Sequence, residues 1–165
     1  LAESCYRLKN HGRDKKGVFI HSHIGYNFAF TEMQAAIGIS QLNKLSRIIE
    51  KKDQIRRRYM RELGHIENLK PLVFKSHITP VHWFSSYFLD QKTQLQKYLT
   101  SKKIQTRDFF YPLHLQPCYK DFNLDKSDFK TSTDAYRRGF SLPSAYNLSE
   151  EKQNYVIEAM KDFFK

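Results

Sequence analysis

The longest regular pattern in the chain is a helical one. Met33, Ile37, Leu42, Leu45, Ile48, Ile49, Ile55, Tyr59 and Leu63 return at intervals close to one helical turn, with polar residues between them. Thr31 and Gln34 have the T-x-x-Q spacing of a capping box, in which each side chain satisfies a backbone N–H of the other. Gly64 stands where a helix would stop. The pattern predicts one helix over residues 31–63, about 33 residues and roughly 50 Å at ~1.5 Å per residue. That is longer than most globular helices, so it needs more than one packing partner: a second domain or a second subunit.

Before this helix, residues 1–10 read as the tail of a helix, and Leu1-Ala2-Glu3-Ser4 reads as helix interior rather than a leader peptide. His11 to Gly17 reads as a loop bounded by glycines, and Val18 to Ile24 as a short extended segment with His21 and His23 on one side. After it, Leu69 to Phe74 and Val81 to Leu89 read as strands. The second is apolar on both faces, as in a covered central strand. Gln91 to Ser101 reads as an amphipathic helix with Leu95, Tyr98 and Leu99 inward. Ile104 to Phe110 reads as a strand, Pro112 and Pro117 bracket an irregular loop, and Thr133 to Arg138 is helical. A final helix starts at Ser149, a good N-cap followed by Glu150 and Glu151. Val156, Met160, Phe163 and Phe164 form its buried stripe. From about residue 65 onward the pattern is that of a compact α+β unit.

Composition narrows the class. With 165 residues and 40% hydrophobic positions, the chain can bury a sizeable core. No apolar run approaches the ~20 residues that cross a bilayer. Two distant cysteines, Cys5 and Cys118, give neither a thiolate zinc motif nor a disulfide framework, which suits a reducing cytoplasm. The formal charge of +11 raises nucleic acid or an anionic membrane as a partner. Its densest run, Arg47 to Arg61, is broken by Glu50 and Asp53 at helical spacings that allow ion pairs, so the plainer reading is the solvated face of a helix.

Several residues have candidate chemistry. Asn27 lies in the loop that the capped helix would orient. Its amide can donate to a phosphate, or it can simply form a turn. His114 lies in the proline-bounded loop with Tyr111 and Arg107 near, as a donor or as a structural residue. His21 and His23 could ligate a metal, but no third ligand is evident, so no metal is expected. His21 or His23 at the mouth of a substrate pocket is the better reading.

Four pieces together resemble the DegT/DnrJ/EryC1/StrS family of pyridoxal-phosphate-dependent sugar aminotransferases. They are Leu8-Lys9-Asn10-His11-Gly12, then Gly25-Tyr26-Asn27-Phe28 running into Thr31–Gly38. Thr106-Arg107 with Tyr111-Pro112-Leu113-His114 follows, and last Ser141-Leu142-Pro143 with Leu148-Ser149-Glu150-Glu151. The resemblance implies an α/β fold: the C-terminal portion of the fold-type-I architecture, with an α+β small domain. Residues 1–30 would end the large cofactor domain, 31–63 would be the linking helix and 64–165 the small domain. It implies a homodimer in which Asn27 reaches the phosphate of pyridoxal phosphate in the other subunit. Tyr26, His23, Arg107, Tyr111 and His114 would contact a nucleotide-linked keto-sugar. The amino donor would commonly be glutamate, and the pathway amino-sugar and surface-polysaccharide synthesis. Ala29 departs from the family, which often has arginine there to hold an anionic group. No lysine here has the serine-aromatic-x-x-lysine context of the Schiff-base lysine, so that residue is expected upstream of Leu1. By itself the fragment would then be inactive. The alternative is a stand-alone regulatory or nucleic-acid-binding protein derived from the family.

Overall fold

The computed structural model describes residues 1–15, 19–119 and 126–165. The chain divides into two compact units, Leu1–Ser46 and Arg47–Lys165. Gly17 and Val18, expected to end one loop and open an extended segment, lie outside the described residues.

The first unit holds helix α1 (Ala2–Lys9) and helix α2 (Glu32–Leu42), with irregular backbone between them. Two isolated antiparallel bridges, Asn10 to Asn27 and Arg13 to His21, tie that backbone together. The chain bends at Ser22 and His23, so strand alternation does not place the two histidines on one side. Helix α2 starts as its capping box requires. Gln34 N–H donates to Thr31 Oγ1 (3.2 Å) and Thr31 N–H donates to Gln34 Oε1 (2.9 Å).

The expected single helix over 31–63 is two helices. Helix α2 ends at Leu42 and helix α3 (Leu45–Leu63) begins after Asn43 and Lys44. The ladder changes there. Asn43 N–H still reaches back four residues to Ile39 O, whereas Lys44 N–H reaches back only three, to Gln41 O. A tightened turn ends α-helical pairing, and asparagine is a weak helix former that competes for backbone groups. The long apolar stripe divides as well: α3 buries Ile55, Tyr59 and Leu63, whereas α2 buries none of its residues. Gly64 follows α3, but at no left-handed φ. It serves by lacking a side chain, because a Cβ there would stand 2.6 Å from Met60 O.

The second unit is built on a four-stranded antiparallel sheet. Its strands are β1 (Lys70–Pro71), β2 (Ser85–Phe88), β3 (Arg107–Asp108) and β4 (Gly139–Leu142), in the order β1-β2-β4-β3. Helices α4 (Lys92–Ser101), α5 (Lys130–Arg138) and α6 (Glu150–Phe163) complete it. The strands are shorter than expected. Val81 and Trp83 are 68% and 60% exposed rather than covered, because Trp83 N–H turns back to Val81 O before the sheet begins at Ser85. Strand β4, not foreseen, is central and buried throughout. Its Phe140 and Leu142 enter the core, while the intervening Ser141 meets its register partner Ser86, hydroxyl to hydroxyl, at 2.9 Å.

One core joins these elements: Ile55, Tyr59 and Leu63 of α3, Leu95 and Leu99 of α4, and Val156, Ile157 and Met160 of α6, with Tyr87, Phe140 and Leu142 of the sheet. Tyr98, Phe163 and Phe164, expected inward, are half-buried at its margin. Helix α6 is capped by Ser149, whose Oγ accepts from Lys152 N–H at 3.2 Å. Among the described residues no helix is long and apolar enough to cross a membrane.

Candidate functional site

In the first unit, the loop Gly25–Phe28 is held by backbone bonds to the segment that ends α1. Tyr26 N–H donates to Leu8 O (2.6 Å), Phe28 N–H to Lys9 O (2.9 Å), and His11 N–H to Tyr26 O (3.0 Å). The Asn10–Asn27 bridge lies among these bonds. Glycine is needed on both sides. Gly12 has φ +74°, and a Cβ on it would collide with the carbonyl of His23; a Cβ on Gly25 would collide with the backbone N of Gly12. The His11-Gly12 piece and the Gly25-Tyr26-Asn27 piece are therefore two halves of one backbone contact.

This contact fixes Asn27 in direction while leaving its side chain exposed. Among the described residues none hydrogen-bonds the Asn27 amide. Tyr26 is 57% exposed and stacks on Phe28, ring centres 5.3 Å apart and 13° between planes. A pinned backbone with an outward amide is a geometry in which a carboxamide can donate to an anion with no further ordering of the loop backbone, only of the side chain. Two arginines of the unit are engaged within it. Arg7 pairs with Asp14 at 2.7 Å, and Arg13 donates to Asn10 Oδ1 at 2.7 Å and lies over the Phe19 ring. His23 donates its N–H to Gly12 O at 3.3 Å, and its Nδ1 lies 3.0 Å from Ser22 Oγ.

In the second unit, the structure brings Tyr111 and His114 together but not with Arg107. Tyr111 packs edge-on against Tyr136 of α5 at 5.0 Å, and its hydroxyl donates to Leu115 O at 3.3 Å. His114 stacks on Phe129 (4.6 Å, 17°), with Nε2 3.3 Å from Thr133 Oγ1 of α5. Both candidates thus lean on α5. Arg107, on edge strand β3, instead lies over the Phe84 ring at 4.9 Å and faces a groove of about 1300 Å³. Lys52, Lys103, Lys152, Asp108 and Tyr155 also line that groove.

Two residues that the linear pattern gave no reason to choose position this region. Lys92 is almost fully buried. Its Nζ donates to Tyr136 O (2.8 Å) and Asp108 Oδ1 (2.9 Å), so one ammonium ties α4 to β3 and α5. The Lys92 hydrogen bond, opposed by desolvation, holds the Asp108 carboxyl below its ordinary value. Lys52 donates to Trp83 O (3.0 Å) and Ser144 O (2.6 Å), and burial lowers its pKa. The arginines of the basic run are also engaged within the unit. Arg47 donates to Tyr146 Oη, Arg56 to Leu72 O and Arg58 to Asn154 Oδ1, and Arg57 pairs with Asp53. Glu50, expected as an ion-pair partner, accepts from Gln54. Among the described residues no group of three histidines, cysteines or carboxylates could hold a metal.

The fold is that of an aminotransferase. DesV of S. venezuelae superposes with a TM-score of 0.88 over 99% of this chain and 44% of its own, at 23% identity. Residues 1–161 match the model of the DegT/DnrJ/EryC1/StrS aminotransferase family, and the chain belongs to that family. It is 31% identical to GDP-perosamine synthase of Vibrio cholerae, over 99% of this chain and 46% of that protein. It is 28% identical to GDP-perosamine synthase of Escherichia coli O157:H7, over 99% of this chain and 44% of that protein. The chain spans a little under half the length of the relatives it matches. The family is pyridoxal-phosphate-dependent.

Proposed function

We propose that this chain is part of an aminotransferase that moves an amino group, from glutamate, to the ketone of a nucleotide-linked sugar, for amino-sugar and surface-polysaccharide synthesis. The observation that carries the reading is Asn27: a solvent-facing amide on a loop pinned to the end of α1 by three backbone bonds. That geometry fits one contact to the phosphate of pyridoxal phosphate. When bound, the cofactor supplies the carbonyl chemistry that carries the amino group between donor and acceptor. This chain's own part is to hold the phosphate through Asn27 and to offer Tyr26 and His23 to the substrate from the same loop. Arg107, Tyr111 and His114 contribute from the second unit as contacts to the sugar nucleotide.

The position of the chain within the longer protein belongs to the proposal. We place it at the C-terminal side. Residues 1–30 would end the cofactor domain, and the small domain would include α3 from Arg47 onward, since Ile55, Tyr59 and Leu63 lie in its core. No lysine in the 165 residues stands in a serine-aromatic-x-x-lysine context, so the covalent anchor would lie ahead of Leu1. The enzyme would work as a homodimer in the cytoplasm, with Asn27 serving the partner's cofactor.

The test is Asn27→Ala in the full-length protein. A hydrogen bond to a charged group contributes about 1.5–3 kcal/mol, so the dissociation constant for pyridoxal phosphate is expected to rise roughly 10- to 150-fold. An unchanged constant removes the assigned role. Sequence ahead of Leu1 that lacks the lysine motif would remove the C-terminal placement.

A further inference from the structure

The tripeptide His21-Ser22-His23 has side chains that the preceding reading uses only at His23. Their Nδ1 atoms are both engaged inside the loop. His21 Nδ1 is 2.6 Å from the carbonyl oxygen of His11. His23 Nδ1 is 3.0 Å from Ser22 Oγ. Ser22 Oγ in turn makes a short contact with Asp14 Oδ2 and lies 3.4 Å from Gly12 O. Asp14 is paired with Arg7 at 2.7 Å.

Proton counting decides the tautomers. A carbonyl oxygen only accepts, so His21 Nδ1 must carry the hydrogen of that bond. Ser22 has one hydroxyl hydrogen. Both oxygens near it, the Asp14 carboxylate and the Gly12 carbonyl, are acceptors only. The hydroxyl hydrogen therefore goes to one of them, and Ser22 Oγ meets His23 with a lone pair. His23 Nδ1 must donate. The reverse arrangement, with Ser22 donating to His23, would set Oγ lone pairs against two further acceptors. The Ser22 hydrogen bond, opposed by desolvation and aided by the Arg7 charge, also holds the Asp14 carboxyl below its ordinary value, so Asp14 remains an acceptor.

We propose that Asp14, Ser22 and the His11 carbonyl are positioning groups that hold His23 and His21 as Nδ1–H tautomers, so that each neutral ring presents Nε2 as a proton acceptor to a hydroxyl- or ammonium-bearing ligand. A free imidazole side chain favours the opposite tautomer, so the loop imposes a choice that the residue type does not. The tautomers follow from the chain's own geometry. Only the nature of the ligand rests on the proposed function, where a sugar hydroxyl or the amino donor's ammonium would be the natural donor.

The experiment uses the full-length protein labelled with ¹⁵N-histidine. Two-bond ¹⁵N–¹H correlations above the imidazole pKa distinguish a protonated Nδ1 from a protonated Nε2, and His21→Gln and His23→Gln variants assign the signals. Wild type is expected to show the Nδ1–H pattern at both rings. Ser22→Ala should revert His23 alone to the Nε2–H pattern, and Ser22→Thr, which keeps the hydroxyl, should retain the wild-type pattern. His21, Ser22 and His23 are all solvent-exposed, so far-UV circular dichroism serves as the folding control. An Nε2–H pattern at His23 in wild type, or no change in Ser22→Ala, overturns the positioning. For the ligand, carbethoxylation of His23 is followed by peptide mass spectrometry with and without millimolar GDP-mannose, a hydroxyl-rich sugar nucleotide. About fivefold slowing is expected from a hydrogen bond of ordinary strength. An unchanged rate overturns the ligand class while leaving the tautomers to the first measurement, and neither outcome depends on Asn27 or on turnover.

Discussion

Replacing Lys92 by methionine tests the tie that positions α5 and, through it, Tyr111 and His114. Methionine keeps most of the apolar stem and removes the ammonium. Two acceptors then lose their donor. The carbonyl of Tyr136 loses a 2.8 Å bond, and an unsatisfied acceptor of this kind costs about 1–3 kcal/mol. The Asp108 partner, 2.9 Å away, is 52% exposed and rehydrates, so its loss adds no more than about 1 kcal/mol. Relief from burying an ammonium offsets part of the sum, leaving a net destabilisation of about 2 kcal/mol. With a urea m-value of about 2 kcal/mol/M, the unfolding midpoint should fall by about 1 M. The pH dependence carries a sign. Asp108 has a depressed folded-state pKa, so its contribution is present above the unfolded value near ~3.9 and is lost as pH falls through the folded value. The gap between wild type and Lys92→Met should therefore narrow as pH is lowered below about 4. Urea titrations by circular dichroism from pH 7 to pH 3 measure both effects. An unchanged midpoint at pH 7, or a gap that widens in acid, would refute the reasoning.

Gly139→Ala should destabilise by about 1–3 kcal/mol, because a Cβ would collide with Ala135 O and stand 2.7 Å from Phe109 Cβ. Its φ of −82° is ordinary, so space alone is at issue, and thermal unfolding reads the result. Tyr59→Phe leaves Pro143 O without its 2.9 Å donor and should cost about 1 kcal/mol by the same measurement. Thr31→Ala removes the acceptor of the capping box and should cost about 1 kcal/mol, seen as faster hydrogen exchange at Gln34 than at residues deeper in α2.

The linear sequence was sufficient for features settled within a few residues. The caps at Thr31 and Ser149 form where their spacing places them, because donor and acceptor are three residues apart and need no other part of the chain. Leu95, Leu99, Val156 and Met160 are buried because a helix presents every third or fourth residue to one side. The family was also legible, since its motifs are short strings in fixed order. Tertiary structure decided what depends on distant partners. Asn27 is aimed by carbonyls near residue 8 and by the meeting of Gly12 with Gly25, neither of which periodicity can express. Strand β4 is four residues long, too short to show alternation, and is a strand because β2 and β3 flank it. Lys92 reads as one more polar helix residue until the fold places Tyr136 O and Asp108 around its ammonium. A buried charge is tolerated only where such partners converge, and they converge from positions 16 and 44 residues away along the chain.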